Sequence, residues 1–285
     1  MYPHKFDYYR ANSVQEAVSL LQEHNGAKLI AGGHSLLPVM KLRLSDPGTL
    51  IDIGRIESLR GISHDLSNSR IGSLTTHSTV ASDNELPRVL TEAAGWIGDP
   101  QVRNRGTVGG NIAHADPASD LPTVLLALGA TFELSGANGT RQVSSQDFFK
   151  GLFITDLNAD EVLTTVTIPR ENAGVGSAYA KMFNPASRYA IIGAAAVLAV
   201  DGGTCTSARV AVGGLTPRPV RAPSVEQTLE GQQLSNDLIK LAAGRLADDL
   251  GDDLIGDIHA TAEYRRDVAP AFVRRALEKA WQRAA

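Results

Sequence analysis

Two glycine turns, Ala31-Gly32-Gly33-His34-Ser35-Leu36 and Thr107-Val108-Gly109-Gly110-Asn111-Ile112, are the segments whose residue types could hold a ligand. Paired glycines take backbone conformations that a Cβ forbids and let a ligand approach the main chain. Successive N–H groups in such a turn can form a concave nest for a phosphate. Ser35, Thr107 and Asn111 add short polar side chains for the remaining oxygens and hydroxyls. Two such turns could clamp the two halves of a pyrophosphate. A third segment, Asp116-Pro117-Ala118-Ser119-Asp120-Leu121-Pro122, offers Asp120 as an acceptor for sugar or ribityl hydroxyls. Each feature also has a plainer reading: a glycine pair as an ordinary tight turn, and Asp and Ser as capping residues before a helix. No G-x-x-x-x-G-K-[ST] occurs, and no G-x-G-x-x-G with a following acid, so neither a P-loop nor a Rossmann dinucleotide site is supported.

The elements around these turns follow from hydrophobic period. Ser13-Val14-Gln15-Glu16 fits a capping box, and Val14, Ala17, Val18, Leu20 and Leu21 follow at helical spacing up to Asn25-Gly26. Leu29 to Ala31 and Leu50 to Ile53 read as strands, so the first ~55 residues look like a small α/β unit. Strands are expected at Ile71 to Thr76, Thr131 to Leu134, Gln142 to Ser144 and Val162 to Ile168, and helices at Glu85 to Trp96 and Leu121 to Leu128. The polar, glycine-containing stretch Arg170 to Gly176 suggests a boundary. Beyond it, strands are expected at Ser177 to Met182, Gly193 to Val200 and Ala208 to Val212, and helices at Ser235 to Leu250 and Val268 to Arg283. In the last helix Phe272, Val273, Ala276, Leu277, Ala280 and Trp281 form one apolar stripe, suited to core or subunit interface.

Composition narrows the function. The chain has 285 residues and a formal charge of −4, with no long basic run, which makes nucleic acid and anionic membranes poor partners. The longest apolar stretch, Ala190 to Val200, is far short of the ~20 residues of a membrane span, and the N-terminus has no apolar secretory core. A cytoplasmic protein is expected. Cys205 is the single cysteine, so the chain alone can form no internal disulfide and no Cys-ligated iron–sulfur cluster. His34, His77 and His114 lie near the glycine motifs without a recognisable metal-ligand pattern, and no G-x-S-x-G nucleophile motif is present.

The stretches AGGHSLLPVMKLRL (31–44), IGSLTTHS (71–78), DPQVRNRGTVGGNIAHADPASDLP (99–122) and DEVLTTVTIP (160–169), with the tail from about Gly176, resemble the FAD-binding subunit of the xanthine dehydrogenase family of molybdenum hydroxylases. The likeness is greatest to medium subunits of aerobic carbon monoxide dehydrogenase type. It implies an α+β fold with two FAD-binding subdomains (about 1–56 and 57–172) of the vanillyl-alcohol-oxidase/cell-wall-reductase (PCMH) type, and a C-terminal α+β flavoprotein domain over 173–285. It implies FAD contacts from Leu29, Ile30, Ala31, Gly32, Gly33, His34, Ser35 and Leu36, and from Thr107, Val108, Gly109, Gly110 and Asn111. It adds Ile97, Asp120 as the hydroxyl-binding acid, Leu163 beside the flavin ring, Lys181 as a basic residue near it, and Tyr189 as an aromatic shield. Arg188 departs from the acidic residue that many relatives carry before that aromatic position, so an acceptor site there could differ. The implied partners are a small subunit with [2Fe-2S] clusters and a large molybdopterin subunit, as a dimer of heterotrimers serving an external electron acceptor. Two other readings stay open: a self-sufficient FAD-dependent oxidoreductase of the same fold, and a binding module holding another nucleotide.

Overall fold

The computed structural model describes residues 2–284. It opens with a three-stranded parallel sheet of β1 (Asp7–Arg10), β2 (Lys28–Ile30) and β3 (Thr49–Asp52), ordered β1-β3-β2. Helix α1 (Val14–Glu23) crosses between the first two strands. The Ser13 hydroxyl accepts the Glu16 N–H at 3.1 Å, while the Glu16 carboxylate accepts the N–H of Asn12 at 2.7 Å, one residue earlier than a standard capping box. Ala17, Val18 and Leu21 bury against Ile51, Ile53 and Ile56. Strand β1 escapes a period-based reading because all four of its residues are exposed and none alternates with an apolar one. Between β2 and β3 the chain makes its first glycine turn and a short helix, α2 (Leu36–Lys41).

The second sheet is antiparallel and ordered β4-β5-β10-β6-β7. Its early strands are β4 (Ile62–His64) and β5 (Asn68–Gly72). The strand expected over Ile71 to Thr76 stops at Gly72, where the chain turns and the Thr75 N–H donates to the Gly72 carbonyl at 2.9 Å; a Cβ on Gly72 would collide with the Leu59 carbonyl. Five helices follow: α3 (His77–Ala81), α4 (Arg88–Trp96), α5 (Pro100–Arg105), α6 (Val108–His114) and α7 (Asp120–Leu128). The sheet resumes with β6 (Thr131–Gly136) and β7 (Gly139–Ser144). A turn of helix, α8 (Ser145–Phe148), and the hairpin β8 (Phe149–Gly151) and β9 (Ile154–Thr155) lead to β10 (Val162–Pro169). Every residue of α7 is buried, so its sequence shows no amphipathic period.

The third sheet comprises β11 (Val175–Phe183), β12 (Ala190–Asp201), β13 (Thr204–Gly213) and β14 (Val220–Arg221), all antiparallel. The apolar run Ala190 to Val200 is β12, which packs against α7 on one side. The helices α9 (Pro223–Leu229), α10 (Asn236–Gly244) and α11 (Ala262–Ala284) complete the chain, and α11 packs against β11 and β12. The helix expected over Ser235 to Leu250 loses its α-geometry after Gly244 and continues as a 3₁₀ turn, Arg245–Asp248. Helix α11 begins six residues before the expected start, and Thr261 caps it by accepting the Tyr264 N–H at 3.2 Å. Its stripe Phe272, Val273, Ala276, Leu277 and Ala280 is core, with Trp281 partly buried beside it. Among the described residues no helix is long and apolar enough to cross a membrane.

Candidate functional site

A cavity of about 720 Å³ opens between the first glycine turn, α6, the hairpin β8–β9 and the loop joining β11 to β12. That volume lies in the ~300–1,000 Å³ range of small-molecule sites. Leu29 and Ile30 bring β2 to its wall, Ala31, Gly32, Gly33, His34 and Ser35 form the turn, and Leu36 starts α2. Gly33 takes φ +75°, in the left-handed region that suits glycine. A Cβ on Gly32 would collide with the Arg105 carbonyl, so the first glycine turn packs against the main chain at the end of α5 that leads into the second. Among the described residues no protein acceptor meets the N–H groups of Gly32, Gly33, His34 and Ser35. This turn is an open donor cradle for an anionic group.

The second glycine segment is built differently. Rather than a free nest, it is the first turn of α6, capped by Thr107, whose hydroxyl accepts the Gly110 N–H at 3.2 Å. The Val108 N–H donates to the Thr75 carbonyl at 2.9 Å and the Gly109 N–H to the Ser73 carbonyl at 2.8 Å. Gly109 is glycine because a Cβ there would run into Ser73. Thr107, Gly109, Gly110 and Asn111 line the cavity, while Val108 is buried in the neighbouring core and does not. The Asn111 side-chain oxygen accepts the Ser119 hydroxyl at 2.7 Å, which ties α6 to the cap of α7.

Asp120 is the first residue of α7, and it is buried. One carboxylate oxygen accepts the Tyr179 phenol at 2.7 Å and the other accepts the Lys181 ammonium at 2.7 Å. Burial pushes the Asp120 carboxyl up and the Lys181 ammonium down, and their mutual attraction opposes both shifts. Asp120, Ile97 and Leu163 line the cavity. Lys181 does not: its side chain is wholly buried behind Asp120, so the charge expected beside a ring is instead spent on this carboxylate. Tyr189 lines the cavity with Ser187 and Arg188, and Arg188 holds the left-handed conformation at φ +60°. Asn184 shapes that loop, its side-chain oxygen accepting the N–H groups of Ala186 at 2.9 Å and Ser187 at 3.1 Å.

Residues 4–171 match the family model for the FAD binding domain in molybdopterin dehydrogenase, and residues 177–280 match the CO dehydrogenase flavoprotein C-terminal domain. The chain belongs to the FAD-binding medium subunits of the molybdenum hydroxylases. It is 40% identical to the carbon monoxide dehydrogenase medium chain of Hydrogenophaga pseudoflava, with 100% of both chains covered. It is 37% identical to the glyceraldehyde dehydrogenase medium chain of Sulfolobus acidocaldarius, covering 98% of this chain and 99% of the relative. Among solved structures, carbon monoxide dehydrogenase from Hydrogenophaga pseudoflava superposes with a TM-score of 0.96 over 100% of both chains at 40% identity. Quinoline 2-oxidoreductase from Pseudomonas putida 86 gives 0.91 at 33% identity, over 99% of each chain.

The cavity's chemistry fits the FAD that defines this medium-subunit family. The free N–H groups of the first turn suit phosphate oxygens, and Asp120 beside Ser119 and Asn111 suits hydroxyls. Among the described residues three side-chain polar atoms are buried without a partner, and two of them, Ser73 Oγ and His77 Nδ1, belong to residues that line the cavity. Such groups ordinarily find a partner. Sequence reasoning placed Ser73 and His77 inside a matching stretch but gave them no role. Burial first, then the nearby charges of His34 and Arg103, push His77 down to about 4. The hairpin β8–β9 was missed entirely. Its Phe153, at φ +56°, lines the cavity with Ile154 and lies against His114, ring centroids 5.1 Å apart. Nothing in its sequence marks it, since Leu152, Phe153 and Ile154 are apolar yet exposed. Cys205 is buried away from the site, and burial pushes its thiol up to about 11.

Proposed function

We propose that this chain is the electron-transfer module of a molybdenum hydroxylase: it takes electrons from the [2Fe-2S] clusters of a small partner subunit and hands them through FAD to an external acceptor. A large molybdopterin subunit performs the substrate chemistry, and two such heterotrimers associate in the cytoplasm. The observation that supports this reading is one cavity walled by the first glycine turn, the start of α6 and the Ser187–Tyr189 loop, in a chain whose single cysteine cannot ligate a cluster. FAD, when bound, supplies the redox chemistry, and the protein sets its position, potential and solvent access.

Within that reading the site residues divide the work. Leu29 to Leu36 seat the dinucleotide's phosphates on main-chain donors. Thr107, Gly109, Gly110 and Asn111 present a second wall whose glycines keep it low, with Val108 anchoring that wall to the core. Ile97 and Leu163 exclude water from the ring, Tyr189 covers it, and Asp120 accepts hydroxyls with Lys181 balancing its charge. The division at 172/173, with a further one at 56/57, makes Tyr189 and Lys181 contributions of the C-terminal domain to a site otherwise held by the FAD-binding domain. The test is expression of the chain alone and with its iron–sulfur and molybdopterin partners. Alone, it should bind one FAD, released by acid precipitation, and turn over no carbon monoxide, aldehyde or N-heterocycle. Dehydrogenase activity in the metal-free chain would support a self-sufficient flavoenzyme instead.

A further inference from the structure

Asp120 sits where three constraints meet. It lines the cavity, it opens α7 where a negative charge suits the helix dipole, and it is buried. Its two oxygens are served by two donors from one strand. Tyr179 and Lys181 lie two residues apart on β11, so their side chains share a face of the third sheet. That face delivers a neutral donor to Oδ1 and a charged donor to Oδ2, each at 2.7 Å. Lys181 accounts for the charge. The phenol adds nothing to the charge balance, and a phenylalanine would fill nearly the same volume.

A second observation shows that the hydroxyl itself is accommodated. In the β11–β12 register Lys181 faces Gly193. A Cβ at Gly193 would collide with the Tyr179 hydroxyl and press its ring. The neighbouring strand therefore leaves a gap where the phenol passes toward Asp120. Gly193 has no positive φ that would otherwise call for glycine.

We infer that Tyr179 is a positioning residue for the cofactor: its hydroxyl fixes the orientation of the Asp120 carboxylate, so that the remaining lone pairs face hydroxyl groups of the dinucleotide in the cavity. A carboxylate held at one oxygen can rotate about its Cβ–Cγ bond, and one held at both cannot. The hydrogen bond also favours the charged, accepting form of Asp120 over the protonated one. The other titratable groups around the pair are Lys181 and Arg188 from β11 and its following loop, and Tyr189 from the same loop, which itself lies near Asp116 of the loop before α7. This inference rests on FAD being the ligand. It adds that the third sheet takes part in cofactor recognition through Tyr179, without this residue touching the cofactor.

The experiment is fluorescence titration of the full-length apoprotein with FAD between pH 5.5 and 8.5, for the unmodified chain, Tyr179→Phe and Gly193→Ala. Tyr179→Phe should weaken FAD binding about tenfold, the scale of one hydrogen bond to a charged acceptor. The loss should grow as pH falls, because Asp120 without the phenol protonates more readily and a protonated carboxyl accepts poorly. Gly193→Ala, which retains the hydroxyl but displaces it, should show the same pH-dependent loss. A merely structural phenol would lower the apoprotein's unfolding temperature and leave the FAD affinity and its pH profile unchanged, and that result overturns the inference while leaving the FAD reading intact. An unmodified chain that binds no FAD overturns the FAD reading, and this inference with it.

Discussion

The buried Asp120–Lys181 pair makes the sharpest prediction for stability. In Lys181→Met an unbranched apolar side chain fills the site, and Asp120 is left buried with one donor, Tyr179. Removing one partner of a buried pair typically costs ~3–5 kcal/mol. The cost here has a ceiling, because Asp120 can escape its charge by binding a proton. In the unfolded chain it titrates near 3.9. If it is protonated in the folded variant, each pH unit above that value costs about 1.4 kcal/mol. The pH-dependent part of the loss should therefore be at most roughly 3 kcal/mol at pH 6 and about 4 kcal/mol at pH 7, and should shrink as pH falls toward 4. The sign follows from the direction of the shift. A carboxyl whose folded pKa is raised is stabilising at low pH and loses that advantage as pH rises toward the folded value. The parent chain should show no such slope from this pair, because Asp120 and Lys181 together hold one proton near neutrality wherever it sits, as they do unfolded. Urea unfolding of the apoproteins from pH 5 to 8 measures this directly. The double variant Asp120→Asn/Lys181→Met, which leaves no buried charge, should recover a flat profile. A Lys181→Met loss that is independent of pH, or additive with Asp120→Asn, would refute the argument.

Other consequences are more local. Gly110→Val should yield a folded protein that no longer retains FAD, since a Cβ there meets only the Thr107 hydroxyl, at 2.8 Å, and faces the cavity wall; Gly109→Val should instead lose the fold against Ser73. Flavin content and circular dichroism separate the two outcomes. Tyr189→Ala should speed reaction of the bound flavin with oxygen in stopped-flow measurements, and unchanged rates would remove Tyr189 from the ring's cover. His77, held neutral by burial with a pKa near 4 against an ordinary 6.5, should make the apoprotein lose roughly 3 kcal/mol as pH falls from about 6.5 toward 4. His77→Gln should flatten that acid limb, and an unchanged limb would assign it elsewhere.

Much of this architecture was legible because its elements obey one period. Helix α1 carries a cap and an apolar stripe, and β10 places Val162, Thr164, Val166 and Ile168 on one face and ends at Pro169. The elements that escaped lack that signal for identifiable reasons. Strand β1 is exposed along its length, α6 carries Gly109-Gly110 in its first turn, where their propensity reads as a turn, and the β8–β9 hairpin places apolar residues on the surface. In α6 the error bears on function. The glycines that looked like a phosphate nest spend their N–H groups on Ser73 and Thr107, and one is small so that the helix can lie against Ser73.

The same distinction explains why residue types located the site better than they assigned its roles. The sequence marked Gly32-Gly33 and Gly109-Gly110 as places where a missing Cβ could admit a ligand or simply make a tight turn, and only packing shows what approaches each one. For Gly32 it is the main chain of Arg105, for Gly109 it is Ser73, and Gly110 faces the cavity. Lys181 shows the converse. A lysine on a strand near a cofactor reads as a free charge, and its sequence neighbours carry no sign that a carboxylate 61 residues away accepts it. That pairing joins the third sheet to α7 beneath the cavity wall. The site's electrostatics therefore depend on a contact between the third sheet and α7 that no local motif encodes, and a change at Tyr179 or Lys181 should reach the cavity through Asp120.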